Sequence, residues 1–425
     1  MTQEERLTIN ERRKYLRKMQ PLYHNASRQQ RTALLTEMQI VTGLHRKSLI
    51  RLLRTDLQRK PRTRQRGPSY PAPVRDAVRL CAHALDYPAA ERLQPVLVDT
   101  AQDLARHGHL HLTDAILHAL GRISVSTVRR IVGPVTREPR RIASPRKPKR
   151  RRSTHKRVPV RIIPNTTDQP GYLEADTVQH SGPDARGQFA YTLCLTDVAT
   201  GWVGTYATLG NSHKVIHDAF QAIQQALPFK IQEIHTDNGT EFLNQAVKTW
   251  IQSQATHSRS RPYHKNDNRF VEENNNSHIR AYVGRSRYDT LAQVKALNAL
   301  YRLLDMYHNL FQSVMRTVPD ASGKKTTVAT PFQRLLAHRV LSPEATVAWQ
   351  HFREALDPWC LREAIAQALE ALDRLPNAAA GQVEDVHASI GLWKTGTTLR
   401  QATGCPPFPT TPAAATTPQP LPPQP

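Results

Sequence analysis

GYLEADTVQHSGPDARGQFAYTLCLTDVATGWVGTYATLGNSHKVIHDAFQAIQQALPFKIQEIHTDNGTEF, residues 171–242, decides the fold. Within it GYLEADTV, FAYTLCLTDV and GWVGTYATL are β-rich segments separated by turn residues. NSHKVIHDAFQAIQQAL carries apolar residues at helical spacing, with Asn211 or Ser212 placed to cap it. KIQEIHTD reads as a fourth strand and TEFLNQAVKTWIQS as a second helix. Three strands, a helix, a strand and a helix make an α/β core on a mixed sheet.

Three acidic residues stand at telling places in and just after this stretch. Asp176 lies in the first strand, Asp237 directly follows the fourth, and Glu272 opens a probable helix in RFVEENNNSHIRAYV. Carboxylates at strand ends and a helix start can converge on one edge of a sheet. There they repel one another unless divalent cations neutralise them, and all-oxygen ligands suit Mg2+ or Mn2+. Two such ions about 4 Å apart can activate a hydroxyl and stabilise a leaving 3′ oxygen. Neighbouring acids read more plainly. Glu174 shares a strand face with Asp176 and is expected to be a rim charge. Asp197 starts the turn DVATGW, and Glu241, three after Asn238, suits a helix cap.

LEADTV, HTDNGTEF and SRPYHKNDNRFVEENN together resemble the catalytic core of retroviral integrases and of the integrase-like transposases of bacterial insertion sequences. The resemblance covers about residues 170–290. It implies a ribonuclease-H-like fold with a five-stranded mixed sheet, and a DDE triad of Asp176, Asp237 and Glu272 holding two Mg2+ or Mn2+ ions. It further implies cleavage at transposon ends followed by attack of the freed 3′-hydroxyls on a target duplex, by a homodimer or larger assembly on DNA. The family's usual gap of 35 residues after the second Asp points to Glu273. Its local pattern, a Tyr nine before the Glu and an Asn three after, is met by Tyr263 and Asn275 around Glu272. Helix phase separates the two glutamates by about 100°, so one of them faces the site, and the pattern favours Glu272. Tyr263 and Lys265 fall in the loop that lies near DNA in the family; Asn275 and Arg280 follow on the same helix and are further candidates to face it.

Outward from this core the chain becomes basic. The formal net charge is +24 over 425 residues. Residues 1–67 hold 17 Lys/Arg against 5 Asp/Glu, and residues 137–161 hold 12 Lys/Arg against Glu138, so the two segments contribute 12 + 11 of that charge. A charge so concentrated points to a polyanion, and nucleic acid is the first candidate. Residues 28–54 read as a helix-turn-helix: SRQQRTALLTEMQIVTG ends on Gly43, and LHRKSLIRLLR puts Leu49, Leu52 and Leu53 on one face and Lys47, Arg51 and Arg54 on another. A second copy fits 112–132, with Thr113 as cap, Gly121 as turn, and Arg129 and Arg130 exposed. Lys147, Lys149, Arg150, Arg151 and Arg152 belong to a proline-bearing linker suited to phosphates rather than base edges.

The expected division is a helix-turn-helix region over 1–67, a second helical region over 68–136, a basic linker over 137–168, the catalytic core over 169–290, a helical C-terminal region over 291–404 and a Pro-rich tail over 405–425. Within the C-terminal region, 290–317 and 331–375 read as helical. Cys81, Cys194, Cys360 and Cys405 are far apart in sequence, which gives no zinc spacing and no disulfide framework. No apolar run spans a membrane and no secretory leader is visible, so a bacterial cytoplasm, at the nucleoid, is expected. The competing functions are a non-catalytic regulator descended from a transposase, and a structure-selective nuclease on the same fold.

Overall fold

The computed structural model describes residues 7–58, 70–133, 169–237, 242, 245–260, 268–320, 323–379 and 381–394, with side chains left aside at 245–246 and 317–325. The basic linker, the loop at 261–267 and the Pro-rich tail therefore lie outside the described residues. The chain forms two compact units, Met1–Ser69 and Tyr70–Pro425.

The first unit is three helices, α1 (Ile9–Asn25), α2 (Arg28–Thr42) and α3 (Arg46–Leu53). Thr8 with Glu11, and Ser27 with Gln30, close capping boxes at the starts of α1 and α2, each satisfying two backbone donors that a helix start leaves open. Leu16, Met19, Leu35, Met38, Leu49, Leu53 and Leu57 form its core. Burying each such side chain contributes about 1.5–3 kcal/mol before entropy is charged against it. Gly43 ends α2 at φ +65, a left-handed conformation that costs other residues. Helices α2 and α3 lie where two short helices around a turn were expected. Helix α1 was not foreseen, because only Leu16 and Met19 among its 17 residues are buried.

The second unit opens with α4 (Ala72–Ala84), α5 (Ala90–Leu93), α6 (Leu97–Arg106), α7 (Asp114–Arg122) and α8 (Val125–Val132). Thr113 caps α7 as expected. Gly121 is not the turn, however: it lies inside α7, and Ile123 turns the chain so that Ser124 can cap α8. These helices share one continuous core with the sheet that follows.

That sheet has five strands in the order β3-β2-β1-β4-β5. They are β1 (Tyr172–Gln179), β2 (Ala190–Asp197), β3 (Val203–Leu209), β4 (Glu233–Thr236) and β5 (Thr256–Arg259), with α9 (His213–Ala226) and α10 (Gln245–Gln254) as connections. The first three strands are antiparallel, and β1, β4 and β5 are parallel. The mixed five-stranded α/β sheet stands as the sequence led us to expect. Its last strand, β5, lies beyond the four segments read from the sequence as strands.

Beyond the sheet come α11 (Arg269–Asn274), a π-helical turn (Asn275–Arg280), α12 (Ala281–Val283) and the long α13 (Leu291–Phe311). Helix α13 covers the open edge of β3. Asn309 and Asn298 each accept from and donate to the backbone of Val203 and Ala207, while Asp305 accepts from Thr205 N at 2.9 Å. Three side chains thus satisfy the row of amides that an edge strand leaves open. The expected helix over 290–317 stops at Phe311, and a hairpin follows, β6 (Val314–Asp320) and β7 (Gly323–Ala329). Its exit is pinned where Arg92 Nε donates to Ser313 O at 2.6 Å, and the β-branched residues of VMRTVPD favour a strand there. Helices α14 (Pro331–His338), α15 (Pro343–Ala355) and α16 (Pro358–Asp373) complete the unit, in keeping with a helical C-terminal region.

Candidate active site

The register of β1 against β4 places the first two acids. Ala175 pairs with Thr236 in the last registered pair. The next residues are Asp176 and Asp237, so the two aspartates leave neighbouring parallel strands side by side, at a strand spacing of about 4.8 Å. Asp176 is buried and Asp237 half-buried at the end of β4. One Asp176 oxygen accepts from Thr177 N at 2.8 Å. The other accepts from Asn275 Nδ2 at 2.7 Å.

Asn275 connects this strand edge to the third acid. It stands three residues after Glu272, and residues three apart share a helix face. The bond from Asn275 to Asp176 therefore turns the Glu272 side of α11 towards the aspartates. Glu272 is half-buried, whereas Glu273 is exposed. The charge of Glu273 supports the protonated forms of Arg92 and Arg316, whose burial pulls both below the usual arginine range, Arg316 to about 10.

Polar bonds to one sheet face hold α11. On β1 that face carries Glu174 and Asp176, and by register it continues through Thr196 on β2 and His235 on β4. Glu174 Oε2 accepts from the backbone N–H of Phe270 at 2.8 Å and of Val271 at 2.9 Å. Asn274 Nδ2 donates to Thr196 Oγ1 at 3.0 Å. A helix start has four unbonded amides, and here two of them meet a carboxylate on a neighbouring strand.

The expectation that Glu174 is a rim charge is thus corrected. Its residue is 3% exposed. Burial pushes its carboxyl up to about 7, against the pull of the Val271 and Phe270 amides and the nearby Arg316 and Arg269. Those two guanidiniums lie over the Phe270 ring at 4.1 and 4.4 Å from its centroid.

Other positions resolve as follows. His278, buried in the π-helical turn, is bonded through Nε2 to Asp305 Oδ1 at 2.8 Å, tying that turn to α13. Arg280, a candidate to face DNA, instead donates to Gln179 O at 2.8 Å and to Gly284 O. Asp197 plays the backbone role expected of it, accepting from Gly171 N, Thr200 N and Thr200 Oγ1. Lys47, Arg51 and Arg54 are exposed on and just after α3. On α8, Arg129 is ion-paired with Glu91, and Arg130 donates to Thr127 Oγ1 at 3.0 Å. Tyr263, Lys265, Glu241, Lys147, Lys149, Arg150, Arg151 and Arg152 lie outside the described residues. Among the described residues, no helix is long and apolar enough to cross a membrane.

A mixed sheet of this order, with one acid inside its first strand, a second just past the end of the parallel strand beside it and a third on a helix bonded to that face, matches the ribonuclease-H-like class of polynucleotidyl transferases. Comparison with known proteins agrees. Residues 167–265 match the family model described as the integrase core domain, a match that ends before Glu272. An uncharacterized protein of Sinorhizobium fredii (strain NBRC 101917 / NGR234), y4rM, is 34% identical over 292 residues, covering 68% of this chain and 83% of that one. Among solved structures, a simian T-cell lymphotropic virus intasome in complex with the PP2A regulatory subunit B56 gamma is similar at 14% identity. That likeness covers 57% of this chain and 75% of the other with a TM-score of 0.29, too distant to bear on the reading. The chain belongs to the integrase-core transposase family.

Proposed function

We propose that this chain is a DDE transposase. It cuts DNA at the ends of an insertion sequence and joins the freed 3′ ends to a target duplex, with Asp176, Asp237 and Glu272 as its catalytic carboxylates. The observation that carries the reading is the pairing of two elements at one edge. The β1–β4 register sets Asp176 beside Asp237, and the Asn275–Asp176 bond brings in the helix face that bears Glu272.

The donor set would fit Mg2+ or Mn2+, because Asp176, Asp237 and Glu272 offer only carboxylate oxygen. When bound, two such ions would lower the pKa of an attacking water or hydroxyl and stabilise the leaving oxygen. Asp176 and Asp237 are fixed by the sheet, and Glu272 by the docking of α11. Asn275 holds Asp176 in one rotamer, and Glu174 holds the start of α11 through its two amides. These contacts keep the carboxylates in place before substrate arrives, which lowers the cost of ordering them during reaction.

DNA recognition divides between regions. Lys47, Arg51 and Arg54 on the α3 side suit end recognition in a major groove. The segment 137–161, with Lys147, Lys149 and Arg150–Arg152, suits affinity without sequence preference. Tyr263, Lys265 and Asn275 lie in sequence on either side of Glu272, where the scissile strand would pass. Two copies or more would act together on paired ends, in a bacterial cytoplasm.

Asp176→Asn and Asp237→Asn remove charge at constant size. Each is expected to lower Mg2+-dependent cleavage of an end-containing duplex by orders of magnitude while leaving metal-free binding nearly unchanged. Near-normal cleavage by either variant would remove the assignment. Cleavage by wild type without joining of 3′ ends to target would indicate a nuclease, and binding without cleavage a regulator.

A further inference from the structure

On elements other than those of the acidic edge, a mixed cluster of metal-ligating side chains forms where α16 meets the loop between α6 and α7. His109, Asp357 and Cys360 each offer one ligand atom, and the three atoms lie within 4.8 Å of one another. His109 and Asp357 are 248 residues apart in sequence, and their Nε2 and Oδ2 atoms are 2.6 Å apart.

The ligand atoms are oriented by groups behind them. Asp357 caps α16, its Oδ1 accepting from Trp359 N at 2.9 Å, which leaves Oδ2 towards His109. The Trp359 ring stacks on His109 with centroids 5.5 Å apart and planes at 22°, fixing the imidazole. Trp359 is held in turn by Glu363, which accepts from Nε1 at 3.0 Å. Such outer contacts are what preset a metal site.

We propose that His109, Asp357 and Cys360 form a binding site for a zinc-class divalent cation that staples α16 to the α6–α7 loop. One imidazole nitrogen, one carboxylate oxygen and one sulfur suit Zn2+ or Co2+, and the sulfur and nitrogen disfavour Mg2+ and Ca2+. Two anionic ligands balance the charge of the ion, and the fourth tetrahedral position is left to water at the surface. Ligation needs the Cys360 thiolate and a His109 ring nitrogen free of hydrogen, so the thiol proton is released on binding. The lack of cysteine spacing argued against zinc at the level of sequence, but this site needs one cysteine, with partners brought by the fold.

The test is Co2+ titration of the full chain under reducing conditions, read by absorption. Thiolate–cobalt charge transfer in the near ultraviolet and tetrahedral bands in the visible report sulfur ligation, which the all-oxygen acidic edge cannot produce. One equivalent of Co2+ is expected to develop these bands, and Zn2+ to abolish them by displacement. Cys360→Ser should eliminate the charge-transfer band and His109→Gln should weaken binding at least about tenfold. Cys405→Ser and Asp176→Asn should leave the band intact. No charge-transfer band in the wild type, or an undiminished band in Cys360→Ser, overturns the proposal.

Discussion

Helix pairs α2/α3 and α7/α8 carry the same sequence signature, and the structure uses them differently. Both have a polar N-cap, a glycine near the junction, and a short second helix with paired basic residues. In the first pair the apolar residues close a small core of their own, and Lys47, Arg51 and Arg54 stay exposed. In the second, Val128, Ile131 and Val132 enter the large core shared with the sheet, and Glu91 answers the charge of Arg129. A basic face is available to a phosphate only where nothing inside the protein has already neutralised it. We therefore propose α3 rather than α8 as the end-reading helix, although Arg129 and Arg130 are exposed as well.

The largest expected contrast is in DNA recognition. Lys47→Ala with Arg51→Ala should lower preference for the transposon end over random DNA by about 10–100-fold, the size of one or two lost base-reading contacts. Arg129→Ala should leave that preference within about twofold, because its charge is already paired with Glu91. Competition binding with end and scrambled duplexes measures both. Equal losses would make the two pairs functional duplicates.

A smaller contrast concerns the two glycines read alike in the sequence. Gly43→Ala forces an L side chain to φ +65, although no atom lies within 4 Å of its Cβ. That should destabilise the N-terminal unit by about 1–2 kcal/mol. Gly121→Ala replaces a helical glycine with open space around it and should stabilise by about 0.5–1 kcal/mol. Denaturant melts of the two variants should shift in opposite directions. A shift of the same sign in both would refute the placement of one glycine.

Much of the catalytic core was legible because it follows local rules. β-rich composition between turn residues marked β1, β2 and β3, helical spacing marked α9, and Asp176 and Asp237 fell in or just after strands that a mixed sheet brings together. What escaped depended on distant partners. Glu174 looked like a surface charge until the amides of Phe270 and Val271, nearly a hundred residues away in sequence, were found against it. His109 and Cys360 share no sequence neighbourhood. Helix α1 buries too few apolar residues to stand out, and the β6–β7 hairpin begins only two residues after a 21-residue helix whose pattern it seemed to extend.

We propose one acidic edge, completed by α11, as the catalytic centre, and Glu272 is the member of it that residue spacing alone would replace with Glu273. The direct measurement is Mg2+-dependent cleavage of an end-containing duplex by Glu272→Gln and Glu273→Gln, with binding to the same duplex measured without metal. The account predicts that Glu272→Gln loses cleavage by orders of magnitude while binding persists, and that Glu273→Gln keeps most of its activity. Activity lost in Glu273→Gln and retained in Glu272→Gln would contradict it.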